Sequence, residues 1–438
     1  MIFFMSNCEQ DWTLSAKNPG YSGLNNSHIV IFDIHSEYKS AFPEANVLSI
    51  DNLVIPYWLL NSEELEQILL DTGERDNYNQ ASVFRTLVTE NKRIKNPTAE
   101  KVFYDSPLFF DIQEVLNALI NIKNETVNAK NTDRYMIIDP SYKLEAEGKT
   151  NVDSGILLTS DEKIRKYFEK VLVFHPKKAQ SITSGDYSDG TLDKFVSRFQ
   201  AKVIQDRLEF LFGERAKSIT FLDTVKQFIG YETNREKNVT IIDLSGVPFE
   251  VLSITVSLIS RVIFEYGYHY KRFRTRKNPS ETINNDTPIL VVYEEAHKYA
   301  PKSDLAKYRP SLLAIERIAK EGRKYGISLL LASQRPSEIS ETIFSQCNNF
   351  IAMRLTNPDD QSFVKKLLPD TMGSLIDQLP VLRAGEALLI GESVVIPSIV
   401  KIEVCDIPPS SNDIPYWQLW KNGWKKSILE TIEKEWMK

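Results

Sequence analysis

The residues Ile289–Tyr293 limit most strongly what this chain can fold into. They read ILVVY, a short apolar run rich in β-branched side chains, which is typical of a strand buried on both faces of a parallel sheet. Glu294 and Glu295 follow at once, at the end of the strand where open α/β sheets bind ligands. One carboxylate of such a pair can hold Mg²⁺ while the other polarises a water. The alternative is an acidic turn in solvent.

Four further runs share this pattern of a buried-type strand that ends in polar side chains. They are residues 28–32 before Asp33, residues 239–242 before Asp243, residues 327–332 before Ser333 and Gln334, and residues 349–353 before Arg354. Most are followed by a helical pattern, so we expect one parallel sheet whose polar ends meet at a single edge and form a ligand site. For Asp33 an equally good interpretation is a cap on the following turn.

Composition narrows the class of protein. The 438 residues have an ordinary hydrophobic share of 42% and no apolar run near the length of a membrane helix. Three cysteines without metal-ligand spacing, Cys8, Cys347 and Cys405, indicate a reduced, cytoplasmic protein with no membrane association. A net charge of −6 excludes a uniformly basic nucleic-acid coat, but it leaves room for a local basic channel.

The middle of the chain has a different character. From residue 62 to about residue 213, apolar side chains recur at spacings of three and four, which predicts amphipathic helices. Polar links are expected at residues 124–133 and 181–190, with a short irregular or β piece around residues 135–174. Asn61 followed by Glu64 predicts a capped helix start.

Three features lie in the second half of the chain. A long apolar helix from residue 248 runs into YKRFRTRK at residues 270–277, the densest basic run. That run is either a solvated helix end, where cations suit the helix dipole, or a nucleic-acid surface with interleaved aromatic residues. Alternation around Gly391 and Glu392 predicts a β-hairpin. The tryptophan-containing tail after residue 408 is expected to pack on the body or on a neighbouring subunit.

Several segments together carry a resemblance to a known family. YEEAHKYAP, IAKEGRKYGISLLLASQRPSEI and MRLTNPDDQ occur in this order, together with IVIFDIHSEY, VTIIDLSGVP and GEALLIGESVVIPSIVKI. The combination resembles the HerA branch of the HerA–FtsK group of ring-forming DNA-translocating ATPases, over residues 27–407. It implies an α/β, RecA-like P-loop NTPase core with a mainly parallel sheet and a helical insertion domain. The implied boundaries are 1–60 and 226–407 for the core, 61–225 for the insertion and 408–438 for a helical tail.

The resemblance also implies roles for individual residues. Glu294 would help to hold Mg²⁺, Glu295 would orient the attacking water and Gln334 would sense the γ-phosphate. Arg323 would be an arginine finger that reaches the neighbouring subunit's nucleotide, with Arg354 as a second candidate; for both, a salt bridge is the alternative. Asp33, Asp243 and Ser333 would line the nucleotide crevice. His297 is expected to pack or hydrogen-bond locally and not to bind metal.

The sequence departs from the family at the phosphate-binding loop. The motif GxxxxGK[ST] is expected before the Asp33 strand, but residues 1–27 contain none, and the family's N-terminal barrel is missing as well. The triplet Gly148-Lys149-Thr150 is not a substitute, because Lys143 occupies the first glycine position and Glu147 would repel phosphate. Two interpretations stay open: a truncated product of a normal ATPase, or a complete ring scaffold that has lost nucleotide binding.

The resemblance therefore implies an ATP- and Mg²⁺-dependent double-stranded DNA translocase or helicase subunit. It would form a homo-oligomer, a hexameric ring, and act beside a nuclease or NAD-consuming effector in DNA end processing or anti-phage defence. The alternative is a platform that organises an effector enzyme without hydrolysing ATP. Strong ATP binding is not expected of residues 1–438 without the phosphate-binding loop.

Overall fold

The computed structural model describes residues 2–5, 28–70, 77–139, 150–230, 237–280, 287–303, 305, 308–366, 373–405, 407–411, 414–423 and 429–437. Its strands are β1 (Ile2–Met5), β2 (His28–Asp33), β3 (Asn46–Leu48), β4 (Thr126–Asn128), β5 (Asn131–Tyr135), β6 (Ile156–Leu157), β7 (Ile182–Ser184), β8 (Val239–Asp243), β9 (Ile289–Tyr293), β10 (Ile327–Ser333), β11 (Asn349–Ala352), β12 (Glu386–Gly391) and β13 (Ser398–Lys401).

Its α-helices are α1 (Ser62–Leu69), α2 (Asn77–Lys95), α3 (Ile112–Asn124), α4 (Ser160–Glu169), α5 (Asp193–Val203), α6 (Glu209–Phe212), α7 (Glu214–Ser218), α8 (Phe221–Ile229), α9 (Phe249–Lys277), α10 (Arg309–Glu321), α11 (Glu341–Phe344), α12 (Pro358–Lys365), α13 (Gly373–Ile376), α14 (Tyr416–Trp420) and α15 (Leu429–Trp436). None of the helices in the described ranges is long and apolar enough to cross a lipid bilayer.

A nine-stranded sheet in the order β13-β12-β11-β1-β10-β9-β2-β8-β3 organises the fold. Its central strands β3, β8, β2, β9 and β10 pair side by side in parallel. Tyr293 of β9 lies opposite Phe32 on one side and Leu331 on the other, and Asp33 lies opposite Asp243. The predicted parallel sheet is confirmed, and these strands end at one edge, which we call the acidic edge: Asp33, Asp243, Glu294, Glu295, Ser333 and Gln334.

The other half of the sheet contains antiparallel pairs. The backbone of β1 runs between β10 and β11 and opposite to both, so β11 runs in the same direction as β10 and Arg354 follows it at the acidic edge. The predicted hairpin is β12 and β13, paired antiparallel. Gly391 at its turn has φ 130°, a conformation that favours glycine. Strands β1 and β3 have only four and three residues and were not predicted from the sequence.

Helices α9 and α10 cover the sheet. The first half of α9 is buried on nearly all sides, as expected for a helix between a sheet and another helix. The hydroxyl groups of Ser253 on α9 and Ser311 on α10 are 2.9 Å apart, and Ser260 Oγ lies 2.8 Å from Tyr293 Oη on β9. The basic run forms the last two turns of α9, where Arg272 and Arg276 are exposed. Both interpretations from sequence, a solvated helix end and a nucleic-acid surface, require an exposed run, so both stay open.

The segment between β3 and β8 contains α1 to α8, as predicted, and also a sheet that the sequence analysis underestimated. Four short antiparallel strands form this second sheet in the order β6-β5-β4-β7. The expected links at residues 124–133 and 181–190 were wrong in part, because they contain β4, most of β5 and β7. These strands are two to five residues long, and β4 pairs with β7 more than fifty residues away, so alternation in the sequence is too short to reveal them.

A buried ion pair joins this segment to the core. Asn61 and Glu64 form the predicted capping box at the start of α1. Glu64 is fully buried and also accepts hydrogen bonds from Ser257 Oγ (2.6 Å) and Arg261 Nη2 (2.7 Å) on α9. The same carboxylate therefore caps one helix and fixes its position against another.

The described tryptophans of the C-terminal tail do not pack on the body. Trp417, Trp420 and Trp436 are 68%, 75% and 88% exposed, and α14 has no buried residue. The expected packing on the body was wrong for these residues, whereas packing on a neighbouring subunit stays a prediction. Trp424 lies outside the described residues. At the start of the tail, the Ser410 N–H donates to Glu37 O at 3.0 Å.

Candidate functional site at the acidic edge

Glu294 lies at the centre of the acidic edge. Its backbone N–H donates to Phe32 O, and its carboxylate atom Oε2 accepts the Ile34 N–H, both at 3.2 Å. The side chain is 3% exposed. Burial, opposed by the Ile34 hydrogen bond and reinforced by the charges of Asp33, Glu37 and Glu295, raises the pKa of the Glu294 carboxyl to about 7. A carboxylate in this environment is stabilised when it binds a proton or when a cation lies beside it.

Glu295 has a backbone conformation that is rare outside glycine. Its φ and ψ are 47° and 48°, a left-handed conformation that stores strain in a non-glycine residue. The side chain is 4% exposed, and Oε2 lies 3.1 Å from His297 Nδ1. This contact is at ion-pair distance without good hydrogen-bond geometry, so Oε2 keeps an unused acceptor position within the described part of the chain.

The two neighbouring carboxyls differ in pKa. Burial favours a raised pKa for Glu295 as well, but the His297 imidazole and the Gln334 backbone N–H outweigh it and hold the pKa below the ordinary value. The pair therefore combines one carboxylate that stays ionised with one that readily accepts a proton or a cation, as in sites that assign different roles to two acids.

The end of β10 completes this part of the site. Ser333 is fully buried, and its Oγ lies 3.1 Å from His297 Nδ1 and accepts the Arg335 N–H at 3.0 Å. Gln334 is exposed, while its backbone N–H faces the Glu295 carboxylate. Glu295 and Gln334, far apart in the chain, thus lie together, and His297 makes local polar contacts as expected.

Asp33 and Asp243 direct their carboxylates into the loops that follow their own strands. Asp33 accepts the backbone N–H groups of His35, Glu37 and Tyr38 at 3.0–3.2 Å, which is the turn cap weighed as its alternative role. Asp243 accepts hydrogen bonds from Ser245 N (3.0 Å), Ser245 Oγ (2.6 Å) and Ser36 Oγ (2.7 Å). Both carboxylates fix loops at the acidic edge, and a direct ligand contact for either stays a prediction.

The two arginine candidates lie at opposite edges of the sheet. Arg323 precedes β10 in a short 3-10 turn, so it lies at the edge away from Glu295. Arg354 follows β11 and lies at the acidic edge. Both side chains are exposed, and within the described ranges neither has the salt bridge considered as the alternative. Arg323 therefore does not lie beside Glu295 of its own chain, and its role as an arginine finger stays a prediction.

Two tyrosines beside the acidic pair were missed by the sequence analysis. Burial, then the nearby carboxylates including Glu294, raises the pKa of the Tyr38 and Tyr299 hydroxyls. Tyr299 is fully buried, and its hydroxyl has no hydrogen-bond partner in the described residues. The motif YEEAHKYAP contains Tyr299, but its position next to Glu294 arises from the turn after β9.

The described residues at the acidic edge fit the metal-binding part of a MgATP site. The described ranges contain no cluster of three or more His, Cys, Asp or Glu side chains that could hold a metal. Glu294 alone fits an ion such as Mg²⁺, which keeps several waters and takes one or two carboxylates plus phosphate oxygens. Residues 6–27, which precede the Asp33 strand, and the Gly148-Lys149 pair lie outside the described residues.

A mainly parallel sheet with a buried acidic pair at its carboxyl edge, next to a polar strand end, is consistent with a RecA-like α/β core. A family model described as "Helicase HerA, central domain" matches residues 20–203. The DNA double-strand break repair helicase HerA of Pyrococcus furiosus is 34% identical over 309 residues, which cover 62% of this chain and 56% of the relative. Its counterpart from Sulfolobus acidocaldarius is 25% identical over 338 residues, 76% of this chain and 60% of that one.

These matches support a HerA-type member of the HerA–FtsK family. The chain spans a little over half the length of these relatives. Among solved structures, VirB4 of Thermoanaerobacter pseudethanolicus aligns over 87% of this chain and 82% of its own, with a TM-score of 0.47 and 10% identity.

Proposed function

We propose that this chain is a subunit of a ring-forming, ATP-driven motor on double-stranded DNA, with the nucleotide bound at the acidic edge. One observation carries the proposal: two adjacent buried carboxylates with oppositely displaced pKa values lie at the carboxyl end of a parallel sheet, beside Gln334. The HerA relatives, described as DNA double-strand break repair helicases, support the choice of substrate.

The two carboxylates of the acidic pair have different roles in phosphoryl transfer. Glu295, held ionised, accepts a hydrogen bond and then a proton from the attacking water. Glu294 would hold a Mg²⁺ ion, which would supply positive charge to neutralise the phosphates. Gln334, exposed beside Glu295, offers a side-chain amide to the terminal phosphate. The loops fixed by Asp33 and Asp243, together with Ser333, hold this edge in place, so that little reorganisation is needed during the reaction.

The position of Arg323 supports a head-to-tail assembly. If Arg323 at one edge of a subunit serves the site at the opposite edge of its neighbour, the contact between the two subunits is heterologous. Repeating a heterologous contact from subunit to subunit generates a ring when the rotation closes. We propose a homo-oligomeric, hexameric ring in which Arg323 of one subunit stabilises transition-state charge at the acidic edge of the next. Arg354, at the acidic edge itself, is the candidate for the same task within one chain.

The remaining proposals concern partners and location. The exposed basic end of α9 is suited to the phosphate backbone, which gives binding that is salt-dependent and independent of sequence. We propose a cytoplasmic ring that acts with a nuclease or NAD-consuming effector, in DNA end processing or anti-phage defence. The second candidate, a ring that organises an effector without hydrolysing ATP, is favoured by the lack of GxxxxGK[ST] among these 438 residues.

Phosphate release in the presence of Mg²⁺, ATP and linear double-stranded DNA tests the proposal. If the chain is a motor, its DNA-stimulated hydrolysis should fall about a hundredfold or more in Glu295→Ala, because the water loses its base. The exposed Glu44→Ala is the matched control and should retain wild-type activity. A wild-type chain that forms rings, retains no nucleotide and releases no phosphate would overturn the motor and favour the platform.

Mixing two inactive variants separates the roles of the arginines. If Arg323 acts in the neighbouring subunit, a Glu295→Ala chain mixed with an Arg323→Ala chain regains roughly a quarter of wild-type activity, because random assembly restores one interface in four. If Arg323 acts within its own chain, no mixed interface is complete and activity stays at the level of the separate variants. The mass of the assembled particle gives the ring size.

A further inference from the structure

His297 Nδ1 is equally close to two oxygens from two different strand ends. It lies 3.1 Å from Glu295 Oε2, after β9, and 3.1 Å from Ser333 Oγ, at the end of β10. Ser333 Oγ in turn accepts the Arg335 N–H at 3.0 Å. The imidazole therefore bridges the proposed base and the strand that leads into Gln334, the proposed γ-phosphate sensor.

The turn that holds His297 is itself firmly anchored. It is a single 3-10 turn, Ala296–Lys298, in which the Lys298 N–H donates to Glu295 O at 2.8 Å. Its neighbours Tyr299 and Ala300 are fully buried. Tyr299 O accepts the Ser311 hydroxyl at 2.5 Å, and Ala300 O accepts the Ser340 N–H at 3.0 Å. A ring on such a support has little freedom to leave the bridge.

Glu295 needs an external restraint of this kind. Its left-handed backbone conformation persists only where the surroundings over-determine it, and its side chain is buried without a well-aligned hydrogen bond to Oε2 from the described residues. A catalytic carboxylate must keep its position within about 0.5 Å to be effective. Among the described basic side chains, His297 is the one at ion-pair distance from Oε2, at 3.1 Å.

We propose that His297 is a positioning residue that fixes the Glu295 carboxylate relative to Ser333 and Gln334, so that the base and the sensor of the γ-phosphate act as one unit. This inference rests on the proposed function, because it assigns His297 a task in the same hydrolysis step. His297 contacts no nucleotide in this role; it acts through Glu295.

Steady-state ATP hydrolysis by the full chain with Mg²⁺ and double-stranded DNA tests the inference. We expect His297→Ala to lower kcat about tenfold or more with KM changed by less than about twofold, because nucleotide binding does not depend on the bridge. His297→Asn should recover kcat to within about threefold of wild type, since its amide can occupy the position of Nδ1. Ser333→Ala, compared with wild type in the same assay, should lower kcat less than His297→Ala does.

His269 provides a matched control. It also faces a glutamate, with Nε2 at 3.6 Å from Glu265 Oε2, but that pair is on the solvent side of α9. His269→Ala should leave kcat and KM unchanged. Thermal unfolding of each variant separates a positioning role from a role in folding. The two variants His297→Ala and His297→Asn should differ in kcat but have equal Tm.

The outcomes separate the two proposals. Wild-type kcat in His297→Ala overturns the positioning role and leaves the motor intact. A loss of kcat that His297→Asn does not recover, or one that follows a fall in Tm, reduces His297 to a structural residue and also overturns the inference. A wild-type chain without any hydrolysis overturns the proposed function itself, together with the role assigned to His297.

Discussion

Replacing Glu294 by glutamine removes a buried charge and makes the stability of the protein less dependent on pH. Burial, together with the nearby Asp33, Glu37 and Glu295, raises the pKa of the Glu294 carboxyl from 4.5 to about 7. The folded state therefore binds this proton more tightly than the unfolded state. The resulting stabilisation is fully present below the unfolded pKa and is lost as the pH rises through the folded pKa.

The size of the effect follows from the displacement of the pKa. Moving the pKa of one group from 4.5 to about 7 corresponds to at most about 3 kcal/mol. Water at the open edge of the sheet screens part of this, so we expect about 1–2 kcal/mol. The free energy of unfolding of Glu294→Gln, relative to wild type, should therefore rise by this amount as the pH increases from about 5 to about 8. Above about pH 8 the difference should stay constant.

Urea unfolding of both proteins in EDTA, across this pH range, measures the difference without bound metal. The exposed Glu44→Gln serves as control and should follow wild type at every pH. A constant difference between Glu294→Gln and wild type would refute the reasoning, because it would mean that the carboxyl has the same pKa in the folded and unfolded states. A difference of the opposite sign at high pH would mean that the ionised carboxylate is stabilised by its surroundings.

Two further predictions concern stability. Glu64→Ala should lower the free energy of unfolding by about 3 kcal/mol, because it leaves the half-buried Arg261 with the Leu59 carbonyl but without its carboxylate partner, and Arg261→Met in the same chain should recover part of the loss. Urea unfolding of the single and double variants checks this, and strictly additive effects would contradict it. Gly391→Ala should cost about 2–3 kcal/mol, since its Cβ would lie 2.1 Å from Asn348 O at a φ of 130°. Gly423→Ala, where a Cβ meets nothing within 4 Å, should be neutral in the same assay, and equal effects at both glycines would refute the steric argument.

Local sequence patterns predicted the core of the fold because the relevant signals are local. The apolar run of β9, the capping box of Asn61 and Glu64, and the hairpin at Gly391 each depend on residues close together in the chain. Short strands such as β4 and β7 were not predicted, because their stability comes from pairing with a distant segment rather than from their own residues. The tail was predicted to pack on the body or on a neighbouring subunit; Trp417 and Trp420 do not pack on the body, and packing on a neighbouring subunit stays a prediction.

By itself, the sequence determined which side chains stand at the ends of the buried strands, since a strand's polarity and its C-terminal residue are properties of one segment. It therefore placed Glu294, Glu295 and Gln334 at one edge. Only the tertiary structure decided how these groups differ, because burial, the His297 bridge and the left-handed turn at Glu295 arise when β9 and β10 lie side by side. The same holds for Asp33, whose carboxylate is directed into its own turn by three backbone N–H groups that become available only when the loop folds.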